Sequence, residues 1–209
     1  MNTLVAAATE LEIASFRARN PAVPVFIHGV GAAHAVFALT QKLAEGKYSR
    51  VIQAGIAGSF LPELELGEVV AVKQDRFADL GVLEQGKLST VFEMGLAKAD
   101  DAPYKKGWLK NEGGWIDGLS CKKLNGVTVN LLNADAGYAT MLRDKYDAAV
   151  ESMEGAALHY VCLQMNIPFL QLRAISNYVG ERDKTKWKME EAVRRLGEEV
   201  ELRIMNYEL

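Results

Sequence analysis

The sequence predicts an α/β protein built from short apolar strands and longer amphipathic helices. Apolar runs of strand length occur at residues 3–8, 50–54 and 169–175, and helical patterns separate them. The clearest helical pattern runs from residue 186 to about residue 207, where apolar residues recur at steps of three and four. Because strands that alternate with helices pair in parallel, we predict a three-layer α/β/α fold around a mostly parallel sheet.

Length and composition indicate one globular domain that covers residues 1–209. Hydrophobic residues make up 49% of the chain and charged residues 24%, which is a globular composition. A net charge of −3 without a basic block argues against a nucleic-acid partner. No apolar run reaches the length of a membrane span or a signal peptide, so no membrane partner is expected. Cys121 and Cys162 lack metal-type spacing and are typical of free thiols, which favours a cytoplasmic location.

The first half of the chain contains four predicted strands, at residues 3–8, 23–28, 50–54 and 68–77. A helix follows the first strand, and a second helix covers residues 32–44. Gly29-Val30-Gly31 forms the tight turn before that second helix. Such a turn can cradle a phosphate, but one GxG without the rest of the fingerprint is a weak signal. Residues 92–118 lose periodicity, and this is typical of a lid or a subunit contact.

The second half repeats the alternation, with predicted strands at residues 126–132, just before 151, and at 169–175. Its predicted helices cover residues 136–146, 153–165 and 186–207. Ser176 and Asn177 follow the last strand, as Glu12 follows the first. The carboxyl ends of neighbouring strands meet at one edge of a sheet, so we expect these side chains to converge there.

Glu154 is the first candidate site residue, because it stands where a short strand gives way to an apolar helix. The small residues at 155–157 allow a ligand or a neighbouring backbone to approach closely. One carboxylate can accept two hydrogen bonds, so the cis-diol of a sugar is a suitable partner. The alternative is a purely structural helix start with a glutamate near its positive end.

Glu12 and Asn177 are the candidates for chemistry. Glu12 lies at the strand edge where ligands bind in open α/β sheets, although it also stands three residues after Thr9, the capping-box spacing. The amide of Asn177 can donate and accept hydrogen bonds to a ligand, or it can satisfy a turn. His28 and His34 flank the glycine turn and are expected to be structural.

Several motifs resemble the superfamily of purine nucleosidases and nucleoside phosphorylases. These motifs are AATELEI at 7–13, GVG at 29–31, AGIAG at 54–58, LGEVV at 66–70, MEG at 153–155 and RAISN at 173–177. The resemblance covers most of the chain and is closest to the futalosine hydrolases, to which DLG at 79–81 adds. It implies a nucleoside-phosphorylase-like fold with a mixed, partly closed sheet. It further implies a homo-oligomer, a dimer or larger, with a nucleoside substrate, no metal and no cofactor.

The resemblance also assigns roles to site residues. The family carboxylate that matches Glu12 activates the attacking water, and the residues that match Met153 and Glu154 hold the ribose. Met153 can equally be a core residue at the helix start. Asn177 departs from the adenine-releasing nucleosidases, which have aspartate there. Asparagine cannot transfer a proton, but it can donate to a purine O6 while accepting from a protonated N7, which favours hypoxanthine as the leaving group.

The implied reaction is hydrolysis of futalosine to hypoxanthine and dehypoxanthine futalosine, in menaquinone biosynthesis. Gln53 stands where bacterial-type phosphorylases carry a phosphate-binding arginine, and the first loop lacks their Gly-x-Pro-x-Arg anion site. Water is therefore the expected nucleophile. The alternatives are a methylthioadenosine/adenosylhomocysteine nucleosidase, a purine nucleoside phosphorylase, and a nucleoside-binding protein without catalysis.

Futalosine carries a benzoate on its 5′ side, and that carboxylate requires arginine, lysine or backbone donors. Four basic residues are candidates for this contact, or form a solvated surface instead: Arg76, Arg182, Lys184 and Lys186. A neighbouring subunit is the other source of such a group.

Overall fold

Ten strands and six α-helices lie within residues 2–205, the part of the chain that the computed structural model describes. The strands are β1 (Thr3–Ala7), β2 (Val25–Ile27), β3 (Arg50–Ser59), β4 (Val69–Asp75), β5 (Gly81–Glu84), β6 (Lys87–Thr90), β7 (Leu109–Lys110), β8 (Lys123–Thr128), β9 (Val150–Ser152) and β10 (Phe169–Tyr178). The helices are α1 (Glu10–Arg19), α2 (Ala32–Ala44), α3 (Gly114–Asp117), α4 (Ala136–Tyr146), α5 (Gly155–Gln164) and α6 (Met189–Met205).

Eight of these strands form one mixed sheet in the order β10-β4-β8-β9-β3-β1-β2, with β7 paired to β4. Five strand pairs are parallel and three are antiparallel, as the predicted mostly parallel sheet requires. Because β3 also pairs with β10, the strands β3, β10, β4, β8 and β9 close into a ring. β1 and β2 extend from this ring as an open wing.

The small residues of β3 allow the ring to close. The sequence predicts that this strand ends at residue 54, and this prediction was wrong, because β3 continues to Ser59. Gly55 and Gly58 are extended residues of β3, and their register partners on β10 are Arg173 and Asn177. A Cβ at Gly55 would lie 2.1 Å from Nη1 of Arg173, so the strand passes this buried side chain only as glycine.

Helices cover both faces of the sheet, and each face has its own buried apolar cluster. On one face, α1 and α6 pack against the sheet and each other, with Ile13, Phe16, Leu196 and Val200 fully buried. On the other face, α2 and α5 contribute the second core, which includes Leu39. Burial of each such side chain contributes roughly 1.5–3 kcal/mol. The predicted three-layer arrangement is thereby confirmed.

The helices predicted at residues 32–44 and 136–146 are confirmed at both ends. The helix predicted to begin at residue 153 begins at Gly155. The last helix begins at Met189 and not at residue 186, because the Asp183 side chain caps a separate 3-10 turn at Lys184–Lys186. Its predicted end near residue 207 lies outside the described residues.

Strand bounds differ more from the predictions. The strand predicted at 23–28 is limited to Val25–Ile27, and the strand predicted at 126–132 runs instead over Lys123–Thr128. The sequence did not predict the β5–β6 hairpin, which forms a separate two-stranded sheet. Its strand β5 is exposed throughout, so it lacks the apolar alternation that marks a half-buried strand.

The segment 92–118 consists largely of turns, together with β7 and α3. Trp108 stacks near Arg76 and meets the ring of Tyr146 edge-on, and Trp115 lies under the guanidinium of Arg50. Both tryptophans are half-buried, so they anchor this segment to the body of the protein.

No helix in the described part of the chain is long and apolar enough to cross a membrane. A single domain over residues 1–209 and a cytoplasmic location stay predictions.

Candidate active site

A cavity of about 290 Å³ opens where β1, β3 and β10 reach their carboxyl ends. This volume is close to the lower limit of small-molecule sites, which span roughly 300–1,000 Å³. All four predicted site residues line it: Glu12, Met153, Glu154 and Asn177. The predicted convergence of strand ends therefore brings together side chains from three separate parts of the sequence.

Glu12 closes a capping box and lines the cavity at the same time. Oε2 accepts hydrogen bonds of 3.0 Å from both the backbone N–H and the hydroxyl of Thr9, and the Glu12 N–H donates to that hydroxyl. Oε1 accepts from the N–H of Ile56 on β3 at 3.1 Å. A carboxylate has about four lone-pair sites. Three are used to fix its orientation, which leaves capacity for one further donor in the cavity.

Glu154 is held by the glycine turn and does not cap its own helix. It occupies the N-cap position of α5 without a side-chain cap bond, and the hydroxyl of Ser152 accepts from the Gly155 N–H instead. Oε1 of Glu154 accepts from the Gly31 N–H at 2.8 Å. Gly31 has φ +91°, a conformation that favours glycine. The turn at 29–31 therefore positions a carboxylate.

Burial raises the pKa of the Glu154 carboxyl, and the positive charge of Arg173 is the largest effect that opposes this rise. The nearby charge of Glu12 raises the pKa further, while the hydrogen bond from Gly31 lowers it. The two predicted carboxylates therefore lie close enough for the charge of Glu12 to act on Glu154.

Asn177 lies at an irregularity of β10 that directs its side chain toward the cavity. The register with β3 shifts between Ile175 and Asn177, and such bulges re-aim side chains. Its Oδ1 accepts from the Ser176 hydroxyl at 2.8 Å and its Nδ2 donates to the Tyr178 carbonyl at 2.9 Å. An amide offers two N–H donors and two acceptor sites. One of each is left for a ligand.

Behind the cavity, the Arg173 side chain is almost completely buried, with 1% of its surface exposed. Its Nη2 donates to Oε1 of Gln53 at 2.8 Å, and Nε2 of Gln53 contacts Nε2 of His28 at 3.0 Å. Gln53 therefore belongs to this interior network and does not line the cavity. Because Gln53 does not face the cavity, its replacement of the phosphorylase arginine is weaker evidence against a phosphate site than the sequence motif suggests.

The two histidines that flank the glycine turn, His28 and His34, both lie outside the cavity. Burial lowers the pKa of His28 to about 4, and its Nδ1 lies 2.9 Å from the carbonyl of Gly29. His34 is exposed on α2 and does not line the cavity. No group of three or more His, Cys, Asp or Glu side chains within residues 2–205 is placed to hold a metal ion.

Of the four basic candidates for the 5′ side, Arg182 lines the cavity, together with Trp187. The guanidinium of Arg182 lies 6.0 Å from the centre of the Trp187 ring. Lys186 forms an ion pair with Glu181. Arg76 is enclosed near the rings of Trp108 and Tyr146 and is remote from the cavity lining.

The sequence analysis missed Glu151, a further carboxylate in the cavity wall. It lies within β9, and 7% of its surface is exposed. Burial raises its pKa from 4.5 to about 7, with a further rise from Asp79 and an opposing effect of Arg182. A glutamate inside a three-residue strand that is otherwise buried is the signal that could have identified it.

Comparison with known proteins shows the family to which this chain belongs. The profile of the Phosphorylase superfamily matches residues 127–203. The futalosine hydrolase of Thermus thermophilus is 32% identical over 174 residues, which cover 82% of this chain and 76% of that protein. The chain belongs to the phosphorylase superfamily. Within it the chain groups with the nucleosidases, and the resemblance predicted from the motifs is confirmed.

Further relatives agree with this placement. The futalosine hydrolase of Streptomyces coelicolor is 32% identical over 157 residues, which cover 73% of this chain and 64% of that protein. The native futalosine hydrolase of Helicobacter pylori has a TM-score of 0.82 at 13% identity, over 99% of this chain and 98% of that one.

A Helicobacter pylori 5′-methylthioadenosine/S-adenosylhomocysteine nucleosidase mutant with 5′-methylthioadenosine in its active site also has a TM-score of 0.82. Its identity is 15%, over 98% of both chains. At such identities the similarity shows the fold alone, and it confirms the nucleoside-phosphorylase-like architecture with a mixed sheet.

The raised pKa of Glu151 predicts how stability depends on pH. Between pH 4.5 and 7 the folded chain keeps a proton that the unfolded chain has released. The free energy of unfolding therefore falls as pH rises through this window, by up to about 3 kcal/mol. Glu151→Gln removes this loss, so the Tm of the variant minus that of the wild type should grow between pH 5 and pH 8.

The matched control for this measurement is Glu181→Gln. The hydrogen bond from Lys186 lowers the pKa of Glu181. The Glu181 carboxyl is therefore ionised in both the folded and the unfolded chain from pH 5 to pH 8. If the Tm difference for Glu151→Gln stays constant from pH 5 to pH 8, the pKa of Glu151 is not raised by burial.

Proposed function

We propose that this protein hydrolyses the N-glycosidic bond of futalosine and releases hypoxanthine and dehypoxanthine futalosine, a step of menaquinone biosynthesis. The observation that carries the proposal is the presence of Glu12, Glu154 and Asn177 in one cavity. The curated relatives at 32% identity that are named futalosine hydrolase support the choice of substrate. The structural relatives alone do not separate it from methylthioadenosine, because both kinds reach the same TM-score.

In the proposed reaction, water attacks C1′ of the ribose and Glu12 accepts a proton from it. The oxygen of water forms a bond to C1′, the C1′–N9 electron pair leaves with the base, and the base takes a proton from solvent. Three hydrogen bonds hold the Glu12 carboxylate in one orientation, and its remaining acceptor site receives the water. A base positioned in this way typically contributes about 10²–10⁴-fold in rate.

Glu154 and Met153 are proposed to hold the ribose next to that water. The Gly31 N–H occupies part of the acceptor capacity of Glu154, and the rest is available to a pair of ribose hydroxyls. Because Glu154 and Glu12 lie close together, a sugar bound to Glu154 is presented to the water on Glu12. Met153, which is half-buried in the cavity wall, supplies an apolar contact along the sugar ring.

Asn177 is proposed to read the base. Its remaining N–H donates to O6, and its remaining acceptor site receives the N7–H that forms as the bond breaks. Stabilisation of the departing base at this edge lowers the barrier without proton transfer from the protein. A donor aimed at O6 favours a 6-oxopurine over adenine, and this disfavours a methylthioadenosine/adenosylhomocysteine nucleosidase.

The benzoate of futalosine is proposed to lie near Arg182 and Trp187 at the rim of the cavity. A guanidinium can bind a carboxylate through two parallel hydrogen bonds, and an indole ring offers a face for the aromatic ring of the benzoate. The neighbouring Lys184 and Lys186 do not line the cavity.

We also infer a homo-oligomer, as the family resemblance implies. Three apolar residues of the cavity lining have large exposed fractions, Leu11 with 60%, Val30 with 52% and Leu132 with 43%. Apolar surface around a binding site is typical of an interface. A second copy of this chain against these residues would remove water from the cavity mouth.

The first test is product release from the purified protein given futalosine, inosine or methylthioadenosine, each with and without phosphate. Hypoxanthine from futalosine, at a rate independent of phosphate, is the expected result. Release of adenine would favour the methylthioadenosine alternative, and a requirement for phosphate would favour a phosphorylase. No turnover of any nucleoside would leave a binding protein without catalysis.

The second test concerns Glu12. Glu12→Gln should lower kcat for futalosine by about 100-fold to 10,000-fold, because an amide does not accept the proton of water. Affinity for hypoxanthine should change little. Glu10→Gln is the matched control, since Glu10 is exposed and forms an ion pair with Arg17. A Glu12→Gln variant within a few-fold of wild type would remove Glu12 from the mechanism.

The third test concerns Asn177. Asn177→Asp should shift the ratio of kcat/KM values from inosine-type toward adenosine-type nucleosides, because a carboxyl group can protonate N7 and accept from the 6-amino group. An unchanged ratio would show that Asn177 does not read the base.

A further inference from the structure

The first turn of α5 is capped by side chains from outside the helix. Glu154 occupies the N-cap position but forms no side-chain cap bond, so the first two helical N–H groups need other acceptors. The Ser152 hydroxyl accepts from the Gly155 N–H at 3.2 Å. The Thr128 hydroxyl, at the end of β8, accepts from the Ala156 N–H at 2.7 Å. Because Thr128 and Ser152 are register partners, two neighbouring strands fix the start of α5.

The hydroxyl of Thr128 is oriented by a buried carboxylate. It donates to Oδ1 of Asp75 at 3.0 Å, and Asp75 has no exposed surface. Since the hydrogen points at Asp75, the lone pairs of the hydroxyl are left for the Ala156 N–H. Oδ1 of Asp75 also accepts from the Arg76 N–H at 2.7 Å. Oδ2 accepts from Nε2 of Gln171 at 3.0 Å, so the carboxylate is held in one orientation.

Asp75 also lies directly beneath the first residue of α5. A Cβ at Gly155 would lie 2.2 Å from Oδ2 of Asp75 and 2.1 Å from Nε2 of Gln171, so the helix starts here only with glycine. Burial raises the pKa of Asp75 to about 6, and the hydrogen bond from Gln171 and the charge of Arg173 oppose this rise. The carboxylate is therefore mostly ionised at pH 8, and its charge lies at the positive end of the α5 dipole.

The alternative acceptor for the Ala156 N–H is Glu154 itself. An N-cap side chain typically accepts from the second or third helical N–H, and Ala156 is the second residue of α5. A Glu154 carboxylate that folded back in this way would lose acceptor capacity that the proposed function assigns to the ribose hydroxyls. Thr128 removes this competition, and Oε1 of Glu154 accepts from the Gly31 N–H at 2.8 Å instead.

We propose that Thr128, oriented by Asp75, is a positioning residue that caps α5 in place of Glu154 and so keeps the Glu154 carboxylate available to the 2′ and 3′ hydroxyls of the ribose. This inference rests on the proposed function for the diol as the ligand of Glu154. Neither Thr128 nor Asp75 lines the cavity, so both act through Glu154.

The test compares two ligands that differ only at the diol, 9-deazainosine and 2′,3′-dideoxy-9-deazainosine. A C-glycosidic bond replaces the scissile bond in both, so neither is cleaved. Their affinities are measured by calorimetry at pH 8. The wild type should bind the ligand with the diol about tenfold or more tightly than the dideoxy ligand, because a hydrogen bond to a charged group is worth about that factor.

Thr128→Val keeps the shape of the side chain and removes the hydroxyl. The ratio of the two affinities should fall by about fivefold or more, because the Glu154 carboxylate then turns to the Ala156 N–H. Thr128→Ser keeps the hydroxyl and should restore the wild-type ratio. The matched control is Thr90→Val, since Thr90 is also buried and its hydroxyl accepts from the Glu93 N–H away from the cavity lining. This control should keep the wild-type ratio.

The ratio separates positioning from stability. A variant that is merely less stable loses binding sites for both ligands equally, so its ratio stays at the wild-type value. If Thr128→Val does not fold, Thr128→Ala makes the same comparison, because it also removes the hydroxyl and adds no methyl group next to Asp75.

A ratio that is the same in the wild type and in Thr128→Val would overturn the inference, as would an equal loss in Thr128→Ser. A wild type that binds both ligands equally, or neither at millimolar concentration, would overturn it too. Release of hypoxanthine from futalosine is assayed separately. A ratio that depends on Thr128 without cleavage of futalosine would refute the proposed function alone. Cleavage of futalosine with a ratio that ignores Thr128 would refute this inference alone.

Discussion

The site depends on one buried cation, the guanidinium of Arg173 inside the closed ring of strands. Burial of an isolated charge costs several kcal/mol, so the interior must supply acceptors and opposite charge. Gln53 provides an acceptor, and the carboxylates of Glu12 and Glu154 lie close enough to provide charge. The requirement extends to Gly55, where any side chain would collide with the guanidinium. The two predicted carboxylates and Gly55 are thus arranged around the same buried cation.

Four carboxylates line the cavity, and the surroundings of three of them, Glu12, Glu151 and Glu154, give them different properties. Glu12 accepts three hydrogen bonds and is rigidly oriented. Glu154 accepts one from Gly31 and feels the positive charge of Arg173. Glu151 has no hydrogen-bond donor among the described residues, and burial raises its pKa to about 7. Titratable groups whose environments differ in this way can take different roles at one pH.

Features of the fold and the cavity that depend on residues close together in the sequence could be predicted, whereas features that depend on distant residues could not. The bounds of α2 and α4 were predictable, because apolar periodicity and turn residues are local signals. The length of β3 was not, because its glycines are extended only through pairing with β10. The same distinction holds in the cavity. Glu12, Met153, Glu154 and Asn177 carry motif signals, whereas the place of Glu151 in the cavity wall depends on the pairing of β9 with β3.

Closure of the ring also limits how the cavity can adapt. Each strand that carries a cavity residue inside the ring, namely β3, β9 and β10, is hydrogen-bonded to a neighbour on both sides. The walls cannot spread apart without breaking ladder hydrogen bonds, and packed interiors have low compressibility. Accommodation of a larger ligand must therefore come from the connections beyond the strand ends, around Leu132 and between Val179 and Trp187. In this architecture, diversification of the substrate is a matter of loop length and composition, while the sheet keeps the reacting groups in register.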